Sequence, residues 1–335
     1  MVLARRCFNR CNFFTVAPDE VNFISSSRAY DLLILVQFAR LAGSENFSRL
    51  AFLLLDADEM YMEPMKDLII FTDLDGSLLD SETYSASPAD TLFGLLDSHG
   101  IPVIFNSSKT FPEMIKIRRL TDNHQPFVVE NGSAVYVPLD HEIAAAEGLE
   151  SVDGYRRYVL GQERQQIQSF LKSMQAEFRF RPLTEMSAAE CIEVTGLTRA
   201  DVLLAQTREF SEPLLWHDNE DALNTLAMKT AAAGFHLVIG GRFVHLMGST
   251  DKNLAQCWLV NQMRLIHGKD FKVMALGDSE NDAQMLADAD YPVLIRSDKH
   301  RFPEIKTKAS LYRTTRIGPS GWHEAVRRIF SQQLI

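Results

Sequence analysis

The chain contains short apolar runs that end at acidic or polar residues, as buried strands of a parallel sheet do. The first run, Leu68 to Phe71, is followed closely by Asp73 and Asp75. A short run of this composition suits a central strand that is buried on both faces. Because the two acids are two residues apart, their side chains leave an extended backbone on the same side. The pattern predicts two carboxylates in one crevice beyond the carboxyl end of a strand.

Strand and helix patterns then alternate on either side of a central stretch of different character. We predict a helix of about eleven residues from Ser87-Pro88 to Gly100, with Ser87 as its N-cap. The other predicted elements are strands at Ile101–Phe105, Phe127–Val129, Phe271–Leu276 and Tyr291–Ile295, and helices from Pro112 to about Thr121, from Leu254 to His267 and from 283 to Ala289. Alternation of this kind predicts parallel strands, right-handed crossovers and a doubly wound layered structure.

The stretch from about Leu139 to Phe235 is dominated by helical patterns, with strands predicted at Arg208–Trp216 and Phe235–Val244. Such a stretch within a doubly wound pattern is typical of an inserted module. We therefore predict an α/β fold, a Rossmann-like parallel sheet core with an inserted α+β cap domain. The expected domains are an N-terminal extension of uncertain order at 1–65, a catalytic core at 66–138 and 246–335, and the cap at 139–245.

Charge and cysteine content narrow the classes of partner and compartment. The net charge of −10 argues against a nucleic-acid or anionic-membrane surface, although a local cationic pocket could still hold a small anionic ligand. The four cysteines lack a zinc pattern and are too sparse for a disulfide framework, so we expect a reducing, cytoplasmic compartment. The apolar run Leu32 to Val36 is too short to span a bilayer. Oligomeric state and the role of residues 1–64 stay open.

The paired acids suggest phosphoryl chemistry. Two adjacent carboxylates repel unless a cation lies between them or one of them is protonated. With Mg²⁺ bound, Asp73 could attack phosphorus while Asp75 gives a proton to the leaving oxygen. The alternative is a strand end whose acids cap the following turn.

Three other strand or helix ends supply candidate partners for these acids. Ser107 follows the second strand and could hold a phosphoryl oxygen, or simply cap the next helix. Lys252 begins a helix and could stabilise a phosphoryl anion, although a solvated lysine is the simpler interpretation. Asp278 could join an oxygen-only Mg²⁺ site. Asp282 could support that site or only favour the start of a helix.

As a set, these residues resemble a known family. The turn from Asp73 to Ser77, Ser107, Lys252 and the stretch Gly277–Asp282 occur in the order and rough spacing of haloacid dehalogenase-like phosphatases with a Cof-type cap. More narrowly, five stretches resemble the mannosyl-3-phosphoglycerate phosphatase family: 107–110, 129–132, 208–213, 240–243 and 318–322. Two departures are Ser77, where threonine is common, and Asn253, where the family usually has glycine.

The resemblance implies a function and a set of roles. It implies an Mg²⁺-dependent phosphatase that converts mannosyl-3-phosphoglycerate to mannosylglycerate, a compatible solute, through a phospho-aspartyl intermediate. Asp73 would be the nucleophile, Asp75 the acid/base, and Ser107 and Lys252 the phosphoryl holders. The metal would be bound by Asp73, by Asp278 and by the backbone carbonyl of Asp75. Asp282 would support this metal site less directly. The substrate-binding candidates are Ser108, Lys109, Asn131, Gly132, Arg208, Ser211, Glu212, Gly241 and Arg242.

Other functions stay open at this point. Glucosyl-3-phosphoglycerate or another sugar phosphate is a close alternative, because the sequence does not fix which sugar stereochemistry the cap accepts. A phosphomutase of the same fold would need a shielded phospho-aspartate. A non-catalytic sugar-phosphate sensor would be marked by loss of Asp73, Asp75, Lys252 or Asp278, and all four are present.

Overall fold

The computed structural model describes residues 16–17, 20–21, 67–239 and 242–332 of the chain. The chain divides into two compact units, 1–63 and 64–335. The described residues of the first unit form a short antiparallel pair, β1 (Val16–Ala17) and β2 (Glu20–Val21). The rest of the predicted N-terminal extension, 1–65, lies outside the described residues. Within the described part of the chain, no helix has the length and apolarity needed to cross a membrane.

The second unit is built on a mixed sheet in which nine strands are described, in the order β15-β14-β13-β3-β4-β5-β6-β8-β7. The strands from β15 to β5 pair in parallel, and β6, β8 and β7 extend the sheet antiparallel. Their bounds are β3 Leu68–Thr72, β4 Val103–Asn106, β5 Phe127–Val129, β6 Ala134–Pro138, β7 Glu150–Val152, β8 Tyr155–Val159, β13 Lys272–Gly277, β14 Tyr291–Arg296 and β15 Tyr312–Ile317. The predicted doubly wound parallel core is confirmed.

Helices cover this sheet and complete its core. They are α1 Phe93–Ser98, α2 Phe111–Leu120, α7 Lys252–His267, α8 Ala283–Ala287 and α9 Gly318–Gln332. All five residues of β3 are buried, and Ile69 and Phe71 pack in one cluster with Leu259 of α7. On the other face, the buried Trp322 of α9 donates its indole N–H to the Thr72 hydroxyl at 3.1 Å. Burial on both faces fixes the strand end that carries Asp73.

A second, four-stranded antiparallel sheet has the order β11-β12-β10-β9. Its strands are β9 Phe180–Pro182, β10 Ser211–Trp216, β11 Phe235–Ile239 and β12 Val244–Gly248, and the helices of this region are α3 Arg164–Met174, α4 Ala188–Thr195, α5 Arg199–Gln206 and α6 Glu220–Ala232. This is the separate cap that the sequence predicts. The predicted cap range of 139–245 also includes β7 and β8, which pair within the large sheet.

The two faces of the cap sheet have different neighbours. On one face, Leu214 and Leu246 are fully buried against Ile167 and Leu171 of α3. On the opposite face, Ser211 donates its hydroxyl hydrogen to Glu130 Oε2 of the core at 2.5 Å. The cap sheet therefore has one face toward the cap's own helix α3 and one face toward the core that contains the large sheet.

Two sequence predictions of local structure are wrong. The predicted strand Phe235–Val244 is instead two strands, β11 and β12, that pair with each other antiparallel, and β12 begins only at Val244. The predicted helix at 88–99 is a 3₁₀ turn, Ala89–Leu92, followed by α1, and no side chain caps its start. A 3₁₀ turn of this kind is common at helix termini.

The connection between β15 and α9 depends on one carboxylate. Glu324 accepts hydrogen bonds from the Tyr312 hydroxyl at 2.5 Å and from the Thr315 and Arg316 amides, both at 3.0 Å. Burial acts against ionisation of Glu324, but these bonds outweigh it and lower the pKa of the carboxyl to about 2. A depressed folded-state pKa stabilises the fold above the unfolded pKa, and this contribution is lost as the pH falls.

We expect Glu324→Gln to lower the free energy of unfolding at pH 7 by about 1.5–3 kcal/mol, because hydrogen bonds to a charged group are weakened. The difference from wild type should shrink as the pH falls from about 4.5 toward 2. Urea unfolding across this range measures it. Glu304→Gln, at an exposed position, is the matched control and should unfold like wild type at every pH. Parallel curves for wild type and Glu324→Gln would contradict the prediction.

Candidate active site

The centre of the site is a buried lysine between two carboxylates. Lys252 Nζ lies 2.6 Å from Asp73 Oδ1 and 2.7 Å from Asp282 Oδ1, and the lysine side chain is 1% exposed. Asp73 follows β3, and Asp282 lies in the turn after β13. Asp251 caps α7 by accepting the Leu254 amide hydrogen at 2.8 Å, so the helix begins at Lys252. Three residues predicted from separate strand and helix ends thus meet at one edge of the sheet.

Burial and charge act in opposite directions on these groups. Burial raises the pKa of Asp73 to about 7, with Asp282 adding to the rise and Lys252 opposing it. Burial alone would lower the pKa of Lys252, but Asp282 and Asp73 outweigh it and raise that pKa. Lys252 is therefore a fixed positive charge beside Asp73. A cation near Asp73 favours the ionised form that a nucleophile needs.

Asp278 joins Asp73 and Asp282 in an acidic cluster. One carboxylate oxygen from each of these three residues lies within 4.8 Å of the other two. Two glycines allow the acids to pack this closely, because neither glycine has a side chain. An added Cβ on Gly76 would lie 2.7 Å from Asp278 Oδ2, and one on Gly277 would lie 2.5 Å from Asp282 Oδ2. A compact set of buried carboxylate oxygens fits a hard divalent cation such as Mg²⁺.

The three acids differ in how many of their oxygens are already engaged. Asp282 Oδ1 accepts from Lys252, and Asp282 Oδ2 accepts from the amides of Asp278 and Ser279 at 3.1 and 3.2 Å. In the described part of the chain, the side chain of Asp73 accepts a hydrogen bond only at Oδ1. Asp73 Oδ2 is therefore available to a cation, whereas both oxygens of Asp282 hold Lys252 and the loop.

A histidine that the sequence reasoning missed contacts Asp278. His300 Nε2 lies 3.1 Å from Asp278 Oδ2, and Ser77 donates to Asp278 Oδ1 at 3.4 Å. The hydrogen bond with Asp278 raises the pKa of His300 to about 9, and burial raises the pKa of Asp278. His300 lies in the loop after β14, where no periodic pattern or motif marks a site.

Asp75 has a different partner from Asp73. Lys109 Nζ lies 2.8 Å from Asp75 Oδ2 and 5.1 Å from the centre of the Tyr84 ring. Asp75 Oδ1 is buried and, among the residues described, accepts no hydrogen bond. The Asp75 side chain is thus outside the acidic cluster, next to a lysine that the sequence nominates for substrate binding. One of its oxygens is left for a proton or a ligand.

The candidates at the ends of β4 and β5 lie beside this centre. Ser107 is buried, and its Oγ accepts the Lys109 amide hydrogen at 3.3 Å. Asn131 Oδ1 accepts from Asn281 Nδ2 at 3.2 Å. Gly132 has φ +94°, and a Cβ there would lie 1.9 Å from the Asp251 carbonyl oxygen. The loop containing Asn131 and Gly132 therefore packs against the helix start that presents Lys252.

Arg208 and Ser211 lie where the cap meets the core. Arg208 Nη1 donates to Ser211 Oγ at 2.8 Å and to the Ser108 carbonyl oxygen at 3.3 Å. The buried Glu130 carboxylate accepts from Ser211 and from the amides of Glu209 and Phe210 at 2.9 and 3.2 Å. Burial raises the pKa of Glu130, whereas Arg208 and these bonds favour its ionised form. Glu130, which the sequence reasoning did not nominate, joins the two domains.

The described contacts of two other substrate-binding candidates, Glu212 and Arg242, lie within the cap. Glu212 is fully buried, and its oxygens accept from Arg164 Nε at 3.3 Å and from the Thr184 hydroxyl at 2.6 Å. It belongs to the cap face that packs on α3. Arg242 is exposed and donates to the Thr195 carbonyl oxygen at 2.7 Å. Gly241 lies outside the described residues.

The close contact at Gly277 leads to a test of this geometry. We expect Gly277→Ala to displace Asp282, since the new Cβ would lie 2.5 Å from the Asp282 Cβ, and so to loosen Lys252. The expected destabilisation is about 1–3 kcal/mol. Thermal unfolding measures it.

Gly94→Ala is the matched control, because no atom lies within 4 Å of its added Cβ and Gly94 is in α1. This variant should stabilise the fold by roughly 0.5–1 kcal/mol. Equal unfolding temperatures for the two variants would contradict the packing described for Asp282.

No protein-family model matches the chain. Its structure is similar to that of a haloacid dehalogenase-like hydrolase from B. subtilis, with a TM-score of 0.55, 16% identity, and coverage of 78% of this chain and 98% of that one. It is also similar to a phosphatase of the haloalkanoate enzyme superfamily from Bacteroides thetaiotaomicron, with a TM-score of 0.55, 13% identity, and coverage of 80% and 96%. A protein from Thermoplasma acidophilum matches with a TM-score of 0.54, 15% identity, and coverage of 80% and 99%.

At these identities the similarity establishes the fold. The parallel core and the separate antiparallel cap match the fold of the haloacid dehalogenase-like hydrolase from B. subtilis. The acidic cluster lies at the carboxyl edge of the parallel strands, where ligands bind in open α/β sheets.

Proposed function

We propose that the protein is a phosphatase that hydrolyses phosphate monoesters by transferring the phosphoryl group to Asp73. The observation that carries the proposal is the buried contact of Lys252 with Asp73, which forms one acidic cluster with Asp278. A carboxylate nucleophile with a fixed cation beside it suits an anionic phosphoryl group.

The reaction has two steps. In the first, an Asp73 oxygen forms a bond to phosphorus while the ester oxygen–phosphorus bond breaks, and Asp75 donates its proton to the leaving oxygen. In the second, Asp75 takes a proton from a water molecule, which attacks phosphorus and releases phosphate from Asp73. Lys252 and the Ser107 hydroxyl hold phosphoryl oxygens throughout. Lys109 Nζ, 2.8 Å from Asp75 Oδ2, keeps the Asp75 side chain oriented and leaves Oδ1 to carry the proton that is transferred.

The donor set around Asp73 and Asp278 is suited to Mg²⁺. When bound, the ion would offset the negative charge of the carboxylates and of the incoming phosphoryl group. Asp282 would take part mainly by keeping Lys252 in place, because both of its oxygens are engaged.

For the substrate, we propose mannosyl-3-phosphoglycerate, with glucosyl-3-phosphoglycerate or another sugar phosphate as the alternative. The motif resemblance of five stretches supports this choice. So does Arg208, a buried cation at the core–cap contact that could pair with a carboxylate beside the phosphate. The product would then be mannosylglycerate.

The proposal is tested by phosphate release with Mg²⁺ from four compounds: mannosyl-3-phosphoglycerate, glucosyl-3-phosphoglycerate, 3-phosphoglycerate and p-nitrophenyl phosphate. We expect the mannosyl compound to react fastest. EDTA should reduce the rate by about 10²-fold or more, and added Mg²⁺ should restore it. Equal rates for all four compounds would reject the substrate while retaining the phosphatase. No release from any of them would reject the phosphatase and favour a sugar-phosphate sensor.

A further inference from the structure

His245 lies on the cap face that points toward the core. In the register of the cap sheet, Ser211 is opposite Met247 and Pro213 is opposite His245. Residues directly opposite each other share a face of the sheet, and residues two apart on one strand do as well. Since Ser211 donates to Glu130 of the core, His245 is on the same, core-facing side.

The ring of His245 has an unused polar atom at this boundary. Its Nδ1 is buried and has no hydrogen-bond partner among the described residues. Asp75 Oδ1 and Arg208 Nε are also buried and have no hydrogen-bond partner in the described part of the chain. Buried polar atoms are rarely left without a partner, and a ligand is one explanation for an exception. Two such atoms thus belong to cap residues on the core-facing side, and the third belongs to Asp75, the proposed acid of the reaction.

The surroundings of His245 decide what kind of ligand group it suits. Burial, together with the nearby positive charges of Arg208 and Lys252, lowers the pKa of His245 to about 3. The imidazole is therefore neutral at neutral pH and can donate or accept one hydrogen bond at Nδ1, according to its tautomer. A phosphoryl group is attracted to the two cations instead. A neutral ring is suited to an uncharged polar group such as a hydroxyl.

We propose that His245 is a specificity-determining residue that hydrogen-bonds a hydroxyl group on the substrate's leaving group, through Nδ1. The proposal rests on the proposed phosphatase function and adds the recognition of a polyhydroxy leaving group from the cap side. A site that hydrogen-bonds a substrate hydroxyl discriminates strongly against substrates without one, because its buried polar atom is then left unpaired.

Three variants and two substrates test this assignment. His245→Leu removes the ring nitrogens. His245→Asn keeps a polar atom close to the position of Nδ1. His217→Leu, at an exposed cap histidine, is the control. The substrates are mannosyl-3-phosphoglycerate and p-nitrophenyl phosphate, whose leaving group carries no additional hydroxyl. Thermal unfolding of each variant verifies that it is folded.

We expect His245→Leu to reduce kcat/KM for mannosyl-3-phosphoglycerate about 10-fold more than for p-nitrophenyl phosphate, the effect of one lost hydrogen bond. His245→Asn should recover most of this difference, and His217→Leu should match wild type. An equal loss with both substrates, or no loss with either, would overturn the assignment. So would a selective loss that His245→Asn fails to recover.

Binding provides a readout that does not depend on turnover. In the Asp73→Asn background, calorimetry should show that His245→Leu weakens mannosyl-3-phosphoglycerate binding about 10-fold while inorganic phosphate binds as before. Unchanged sugar-phosphate binding would overturn the role of His245. Failure of the proposed function would be seen separately, as the absence of phosphate release by the wild-type protein from every ester.

Discussion

Asp73→Asn should reduce phosphate release by about 10⁴-fold or more, as loss of a nucleophile does in other enzymes that form covalent intermediates. The amide cannot attack phosphorus, so no phospho-enzyme can form. Folding should be maintained, because Lys252 keeps its ion pair with Asp282 when Asp73 becomes a neutral amide. The measurement is single-turnover phosphate release with Mg²⁺, together with the thermal unfolding midpoint.

Asp90→Asn is the matched control, because Asp90 is an exposed acid in the turn before α1. This variant should release phosphate at the wild-type rate. If Asp73→Asn kept more than about a hundredth of wild-type activity while remaining folded, Asp73 would not be the nucleophile. A trapped phospho-peptide from wild type that maps to another residue would lead to the same conclusion.

Lys252→Met should cost both stability and activity. It leaves Asp73 and Asp282 buried without the cation that contacts both, and removing one partner of a buried ion pair typically costs about 3–5 kcal/mol. Loss of a fixed positive charge at the phosphoryl group should lower kcat by roughly 10²–10³-fold. Urea unfolding and phosphate-release kinetics measure the two effects.

Two further variants isolate the cause. Lys272→Met removes an exposed lysine that pairs with Asp290 at 2.7 Å, and it should change stability little, because exposed ion pairs contribute little. Adding Asp282→Asn to Lys252→Met removes one uncompensated charge and should recover part of the lost stability. If Lys272→Met and Lys252→Met were equally destabilised, the buried pairing would not have the importance assigned to it.

The sheet core and the acidic centre could be predicted from sequence for one physical reason. Parallel strands present their carboxyl ends at a shared edge, so polar residues that follow different strands must come close together. This brings Asp73 and Asp278 into one place although they are far apart in the chain, and Lys252 joins them from the start of α7. The spacing of the motif residues, the apolar runs and the predicted helix start at Lys252 were sufficient signals.

The cap contacts could not be predicted in the same way. Whether a side chain in β10 faces the core or α3 depends on strand register, and a shift by one residue reverses it. This is why Ser211 reaches the core while its neighbour Glu212 is held by Arg164 and Thr184 within the cap. Glu130 and His300 were missed because their partners come from distant segments and neither belongs to a periodic pattern.

The contacts of Glu130 affect how freely the cap sequence can diverge. Two of its hydrogen bonds come from the main-chain amides of Glu209 and Phe210. Every residue except proline carries such a donor. Side chains at 209 and 210 can therefore be exchanged during evolution or in directed libraries without removing these two bonds between cap and core. The main-chain part of the cap docking is thus independent of the side chains at these two positions, whereas the 2.6 Å ion pair of the Glu209 carboxylate with Arg157 of the large sheet depends on the side chain at 209.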